Sequence, residues 1–448
     1  MMEGTPLARG HLLRLLGCGF GVAIGVGEMI GSGILRSPNA IAGTLHDSGV
    51  IIALWSFGAL HALLGANILA EMGTALPLEG GQPVYARRAF GDAGGLFVGW
   101  TIYASHLAGT AAASVVFADF LGGLWTPAAA HTTAVALALQ CALYSLNAIG
   151  LREGRFVQIT TSLAKSLLLA AFVAAALWLG THESARSASS IPLAPAGFLA
   201  YVGAYQLIAG AYAGWAAPVV FAEENVAPSR SLPRAMFIGI LITGGLYVLI
   251  NGALLFALGT AGTAASKLPF ASVLDHVAGQ WASLVFVIGA MVTVTSCANA
   301  NIMVAPRILF ALSRDRLLPA AFHAVNEGGS PYMGLVLTAL VSMALAATGG
   351  FRLVFGLIGT LNSGSGLITD LAWFALRRRE PDLPRPFRAI LSPWLPGVLV
   401  LIDGGLLVLF TATDRLGGIV AVALCLLGVP LALIARRARL RAALPAQG

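Results

Sequence analysis

Runs of about twenty apolar residues recur along the chain, and a helix of that length crosses a hydrocarbon layer about 30 Å thick. Marking them predicts twelve membrane-spanning helices, near 16–41, 49–74, 94–123, 131–150, 156–180, 196–222, 234–259, 280–311, 331–349, 351–376, 391–412 and 416–436. Backbone groups inside hydrocarbon must pair with one another, which an α-helix does by itself. The expected fold class is therefore an all-α polytopic membrane protein. Charged residues make up only 10% of the 448, against about 25% in soluble domains, too few to cover a soluble surface. The first run is too long, and too many follow it, for a cleavable signal peptide. Cys18, Cys141, Cys297 and Cys425 stand singly inside apolar runs without metal-ligand or redox spacing, and read as small buried hydrophobes.

Twelve spans place both termini on one side. Twenty of the 26 Lys and Arg residues fall on that side, among them Arg87-Arg88, Arg377-Arg378-Arg379 and Arg436-Arg437. Only Arg186, Lys267, Arg352 and Arg415 fall on the other, while Arg36 and Lys165 lie within spans. This bias puts both termini in the cytoplasm and the chain in the cytoplasmic (inner) membrane. It also supports the helix count, since a missed span would scramble the alternation. The formal charge of +7 is thus a signature of topology, and membrane lipid rather than nucleic acid is the expected surrounding. No nucleotide or phosphate loop, hydrolytic triad or metal-ligand cluster is present in the sequence. Neither an enzyme nor a bound cofactor is expected.

Two spans are interrupted in the same way. Span one reads Gly25-Val26-Gly27-Glu28-Met29-Ile30-Gly31-Ser32-Gly33-Ile34, and span six reads Ile208-Ala209-Gly210-Ala211-Tyr212-Ala213-Gly214-Trp215. Glycine costs about 1 kcal/mol against alanine inside a helix, and freed backbone at membrane depth is tolerated only beside protein or a water-filled cavity. Close helix packing through small residues is the alternative. Position favours the breaks: spans one and six are equivalent members of two five-span halves, and matched interruptions point to a transporter site. An odd number of helices per half inverts the second relative to the first.

Span five carries Gln158, Thr161, Ser162 and Lys165 at i, i+3, i+4 and i+7, a polar stripe on an apolar helix. Ten residues beyond Arg155, at about 1.5 Å each, Lys165 lies about 15 Å deep. Charge there marks a functional residue by default, with a structural interhelical pair as the alternative. Glu28, close to one turn before Gly31, is expected to pair or share a proton with Lys165, or to select a cationic substrate, because burial disfavours both charges. Tyr212 and Trp215 are candidates for a wall or lid. His106 in span three and Asn299 in span eight are candidate cavity residues. Asp119, Glu71 and Asp370 sit near span ends and read as structural, and Asp403 has no assigned role.

Several stretches resemble the amino acid–polyamine–organocation superfamily, specifically its bacterial amino acid permeases and L-type relatives. They are Ile30-Gly31-Ser32-Gly33-Ile34 with Ser37-Pro38; Glu71-Met72-Gly73-Thr74 with Pro77, Gly80-Gly81 and Tyr85; Ala222-Glu223-Glu224 with Arg230; and Asn299-Ala300-Asn301 with Arg307, Arg314-Asp315 and Pro319. The resemblance implies a 5+5 inverted-repeat core shared with the bacterial leucine transporter, discontinuous helices 1 and 6, and two peripheral helices. Residues 1–390 would form the core, with repeat one about 12–181 and repeat two about 195–380. Residues 391–448 would form the two peripheral helices and a basic tail. Two residues depart from the family pattern. Arg36 replaces a usual apolar residue and is similar to the outer-gate arginine of sodium-coupled neurotransmitter transporters, and Glu28 stands where a small or apolar residue is usual.

The expected activity is secondary active amino acid transport by alternating access. The substrate carboxylate would meet the backbone of Gly31, Ser32 and Gly33 behind Ile30, at the positive end of a half-helix. The ammonium would meet carbonyls of Ala209, Gly210 and Ala211, near Tyr212, Gly214 and Trp215. In sodium-independent relatives a fifth-helix lysine occupies the space of a sodium ion, and Lys165 matches it, which implies proton coupling or exchange. Arg36 would gate the outer side. A polyamine or other organic-amine carrier is the near rival, favoured if Glu28 faces the cavity unpaired. A non-transporting membrane sensor or scaffold is the remote one. The sequence leaves a partner subunit undecided.

Overall fold

The computed structural model describes residues 17–149, 154–182, 197–266, 268–325, 331–348 and 351–426, together with 428, 430, 433 and 434. Arg9, Arg14, Arg152, Arg186, Lys267 and the C-terminal arginines lie outside the described residues, as do the side chains of Arg155, Gln158 and Arg352.

The described residues contain helices and turns and no strand. Helix α1 (Cys18–Met29) is followed by α2 (Ser32–Ala42), α3 (Ser48–Ala75) and the short α4 (Gln82–Phe90). Then come α5 (Asp92–Leu124), α6 (Thr126–Ala129), α7 (Thr132–Ile149) and α8 (Gly154–His182). The second part comprises α9 (Phe198–Tyr212), α10 (Ala217–Val220), α11 (Pro228–Ala265) and α12 (Pro269–Arg314). After a 3₁₀ turn at Ala320–His323 the chain forms α13 (Tyr332–Ala347), α14 (Phe351–Arg379), α15 (Trp394–Thr413) and α16 (Arg415–Leu426).

Seven helices are long and apolar enough to cross a membrane, counting Cys18–Ala42 across its interruption. That is fewer than the twelve expected, and the shortfall has local causes. Four further apolar helices, Thr132–Ala148, Phe198–Tyr212, Tyr332–Ala347 and Arg415–Leu426, run 10–17 residues. Helix α9 is short because the chain breaks after Tyr212. Helix α14 is long but turns Asn362, Ser363, Ser365, Thr369 and Asp370 toward a cavity. Glycine kinks cut two of the longest helices: Gly259 (φ 69°) in α11, and Gly279 (φ 75°) in α12 just before the expected start at 280.

Leu163, Leu167, Leu241, Leu340 and Leu401 point outward and are exposed, as lipid-facing side chains must be. Trp125, Trp178, Trp281 and Trp394 are exposed near helix ends, where indole rings favour the membrane interface. The cysteines need correction: Cys297 alone is buried, Cys141 is exposed, and Cys18 and Cys425 are half-buried. An apolar helix in lipid has an outward face as apolar as its inner one, so hydropathy alone does not tell the two apart.

One charged cluster fixes the relation of α3 to α14. The Glu71 carboxylate, 1% exposed, accepts two bonds from Arg377 (2.9 and 2.7 Å) and one from the Ala389 N–H (2.7 Å). Arg385 Nε lies 3.2 Å away, and the Arg377 guanidinium stacks over Trp373. Arg377, Arg378 and Arg379 occupy the last turn of α14, where cations oppose the helix dipole, and Pro381 follows its end. Removing the buried anion from such a cluster leaves cations unpaired, which costs about 3–5 kcal/mol when burial is complete. Glu71→Ala is therefore expected to cost stability near the low end of that range, since the Arg377 side chain is 32% exposed, and to lower the melting temperature in detergent. An unchanged melting temperature would show that the cluster does not hold α3 to α14.

Candidate functional site

The two interruptions face each other. Helix α1 stops at Met29, Ile30 adopts an extended conformation (φ −75°, ψ 95°), and α2 starts at Ser32 behind Gly31, an N-cap residue with no side chain of its own to cap the helix. The first N–H groups of a helix have no intrahelical acceptor, so α2 opens with donors and a partial positive charge. In the second interruption α9 ends at Tyr212, Ala213 is extended and Gly214 takes φ 107° before α10. That left-handed conformation favours glycine, and a Cβ at Gly214 would also overlap Glu28. Gly33 packs directly on the other break: a Cβ there would lie 2.8 Å from Ala211 Cα and 2.8 Å from Phe355 Cζ. Gly31 is similarly closed by Cys297.

Side chains from two neighbouring helices satisfy the carbonyls released by the breaks. Lys165 Nζ (α8) donates to Gly27 O at 2.6 Å and Ile30 O at 2.9 Å, and is 2% exposed. Ser162, one turn earlier, donates to Ala23 O at 2.8 Å, and Thr161 accepts from Ser296 at 3.0 Å. Ser162 and Lys165 of the polar stripe thus face α1, while Thr161 faces α12. Tyr247 (α11), which the sequence did not single out, donates to Met29 O (2.5 Å) and reaches Ala211 O (3.2 Å). It joins the two breaks directly.

Glu28 and Lys165 form no ion pair within 4.0 Å among the described residues, contrary to the pairing considered from sequence. The carbonyls of residues 27 and 30 point along the α1 axis to Lys165, whereas the Glu28 side chain projects radially. Its carboxylate lies 3.6 Å from His106 Nδ1 and beside Gly214, and neither oxygen has a hydrogen-bond partner. His106 Nδ1 is 2.9 Å from Asn301 Oδ1. Asn301, not Asn299, borders the cavity. Asn299 accepts from Asn147 at 2.7 Å, because two residues turn a helix by about 200°.

A cavity of about 150 Å³ lies between the breaks, enough for many waters at about 10–15 Å³ each. Glu28, Gly31, Ser32, Gly33, His106, Ala209, Gly210, Ala211, Tyr212, Gly214 and Trp215 border it, with Cys297 and Phe355. Ile30 is fully buried and contributes its carbonyl to Lys165 instead. Tyr212 donates to Trp55 O at 3.0 Å, and Trp215 closes over Gly65. Arg36 stands apart, 3.4 Å from Asp119, joining α2 to α5. The cavity also reaches His61, Tyr205, Asp370 and Asp403, a region the sequence did not connect to the breaks. Isolated aspartates in apolar runs were the only signal for it.

The loop before α4 closes on the turn after α10. Gly80 N–H donates to Val220 O (3.2 Å), Glu79 N–H to the Glu223 carboxylate (3.1 Å), and Arg314 to that same carboxylate (3.1 Å). Burial, and next the charge of Glu224, push the Glu79 carboxyl well above the usual carboxylate range, against the opposing pull of Arg307. The Gly80-Gly81, Glu223-Glu224 and Arg314 segments, far apart in sequence, are thus one junction.

Comparison with known proteins agrees with this arrangement. The chain matches the family model for amino acid permeases over residues 21–429. It is 26% identical to a serine/threonine exchanger of Bacillus subtilis, covering 94% of this chain and 96% of that protein. It is 31% identical to an uncharacterized transporter of Mycobacterium tuberculosis, over 87% and 86% of the two chains. A large neutral amino acids transporter small subunit of mouse is 24% identical, over 90% and 78%. The chain is a multi-pass membrane protein that belongs to the amino acid permease family, a family of transporters and not of enzymes.

Proposed function

We propose that this permease moves amino acids across the cytoplasmic membrane by alternating access, as a sodium-independent secondary transporter. The observation that carries the reading is the Lys165 ammonium on the Gly27 and Ile30 carbonyls. A fixed cation at the broken helix repels sodium and occupies the carbonyls that would hold it. Protons or exchange then drive the cycle. The α2 N–H groups at Gly31, Ser32 and Gly33 receive the substrate carboxylate. Carbonyls of Ala209, Gly210 and Ala211 receive the ammonium, with Tyr212, Gly214, Trp215 and His106 around it. The proposed architecture has twelve spans and cytoplasmic termini. Its 5+5 inverted-repeat core covers 1–390, with repeats about 12–181 and 195–380, and two peripheral helices lie in 391–448. The similarity to transporters named for serine and threonine and for large neutral amino acids supports an amino acid substrate.

A second reading has its own observation. Glu28 borders the cavity with both carboxylate oxygens unpartnered, which suits an additional ammonium. A cationic amino acid or an organic amine would supply one. Glu28→Gln should then weaken binding of cationic substrates far more than of neutral ones. Equal effects on both would remove this second reading.

Gly31→Leu and Gly33→Leu are expected to abolish substrate binding and uptake while the protein still inserts in the membrane. A glycine variant that kept its affinity would place the substrate elsewhere. Arg36→Ala, which breaks the link to Asp119, should alter transport rate much more than equilibrium binding. Binding losses as large as those of the glycine variants would make Arg36 a ligand rather than a gate. In proteoliposomes, replacing potassium by sodium at constant pH and membrane potential should leave uptake unchanged, and Lys165→Ala should abolish pH-driven uptake. Saturable sodium stimulation of the wild type would overturn the scheme. Uptake that ignores a pH gradient but requires internal amino acid would identify exchange.

A further inference from the structure

A second ionisable group borders the cavity away from the helix breaks. Asp370 (α14) and Asp403 (α15) are 4% and 6% exposed, and the Asp403 carboxylate packs against α14 within one turn of Asp370. Gly366, one turn before Asp370, permits this approach, because a Cβ there would lie 2.6 Å from Asp403 Oδ2. His61 (α3) bridges outward: its Nε2 is 2.9 Å from Asp403 Oδ1, and its Nδ1 is 2.9 Å from the Tyr205 hydroxyl on α9. Asp370 Oδ2 is buried and has no hydrogen-bond partner, and both aspartates border the cavity.

Two adjacent carboxylates away from bulk water repel each other strongly, so one holds a proton unless cations compensate both. Among the described residues the cationic candidate facing them is His61, and a protonated His61 would still leave one negative charge unbalanced. Tyr205, and beyond it Tyr212 on the same helix, are neutral. Arg377 on α14 is engaged with Glu71, Arg379 with the Ala89 carbonyl, and Arg88 of α4 with Glu380. Of the other acids packed on α14, Glu71 is engaged with Arg377, and Asp414 lies against Gly356, fourteen residues or about 21 Å along the helix from Asp370.

We propose that Asp370 and Asp403 form a proton-binding dyad, a site of protonation separate from Lys165 and Glu28. A proton from cavity water adds to one carboxylate oxygen, giving a neutral acid that donates to its neighbour, and release returns that proton to water. His61 and Tyr205 connect the dyad to α9, whose end is the second helix break. Its protonation therefore bears on the position of the half-helix that borders the cavity. The dyad does not depend on the assigned substrate or on sodium independence.

Infrared spectroscopy of the full chain in lipid nanodiscs tests this directly, through the carbonyl stretch of protonated carboxyl groups. Labelling the aspartate carboxyl carbons with ¹³C separates aspartic acids from Glu28. At neutral pH the expected result is a label-sensitive acid band that fades as pH rises. It should vanish in Asp370→Asn and Asp403→Asn and persist in Glu28→Gln, while Asp370→Glu should keep an acid band, with or without the label shift. No aspartic acid band in the wild type would overturn the dyad, whether or not the variants fold, and so would a band that survives both asparagine substitutions. Sodium-stimulated uptake with the band intact would refute the transport scheme alone.

Discussion

A helix broken at membrane depth releases carbonyls at one end and N–H groups at the other, with no bulk water to pair them. In this protein the carbonyl end of α1 is satisfied by Lys165 and Tyr247, while the N-cap of α2 is Gly31, which has no side chain to cap the N–H end. That asymmetry shapes the rest of the site. The cation and the tyrosine hold the break open at a fixed geometry, and the uncapped donors remain directed at a cavity. Each stabilising contact comes from a different helix, α8 and α11, so the break is held by the bundle rather than by its own sequence.

Close packing then sets the cavity's dimensions. Gly33 against Ala211, Gly31 against Cys297 and Gly214 against Glu28 are approaches that no larger side chain permits. They bring two interrupted helices into contact through backbone, so a displacement of α9 is felt at α2. Outside this centre, charged clusters tie helices together: Glu71 with Arg377 and Arg385, Arg36 with Asp119, and Arg314 with Glu223.

Family membership and the unpartnered carboxyl groups answer different questions. The match over residues 21–429 establishes an amino acid permease, and the relatives it resembles carry names with different amino acids. Discrimination among substrates rests on the groups that border the cavity beside the breaks. Here these include Glu28, His106 and Phe355. Of these, Glu28 brings an acidic side chain to the cavity wall.

Much of the framework was legible in the sequence because membrane burial leaves a one-dimensional record. Apolar runs marked the helices, glycine-rich interruptions marked both breaks, and the lone charge of Lys165 in an apolar run marked a buried group. Direction and partnership were not legible. Whether Glu28 turns to Lys165 or to His106 depends on the rotation of α1 about its axis. Asn301 rather than Asn299 borders the cavity because of the rotation of α12, and a two-residue shift at about 100° per residue reverses the face. The seven long apolar helices, against twelve apolar runs, reflect four helices of 10–17 residues and a polar face on α14. His61, Tyr205, Asp370 and Asp403 lie on four helices up to 342 residues apart in sequence. Only their packing shows that these isolated polar residues form one site, because a side chain's partners are set by how helices are rotated and crossed, which no local pattern encodes.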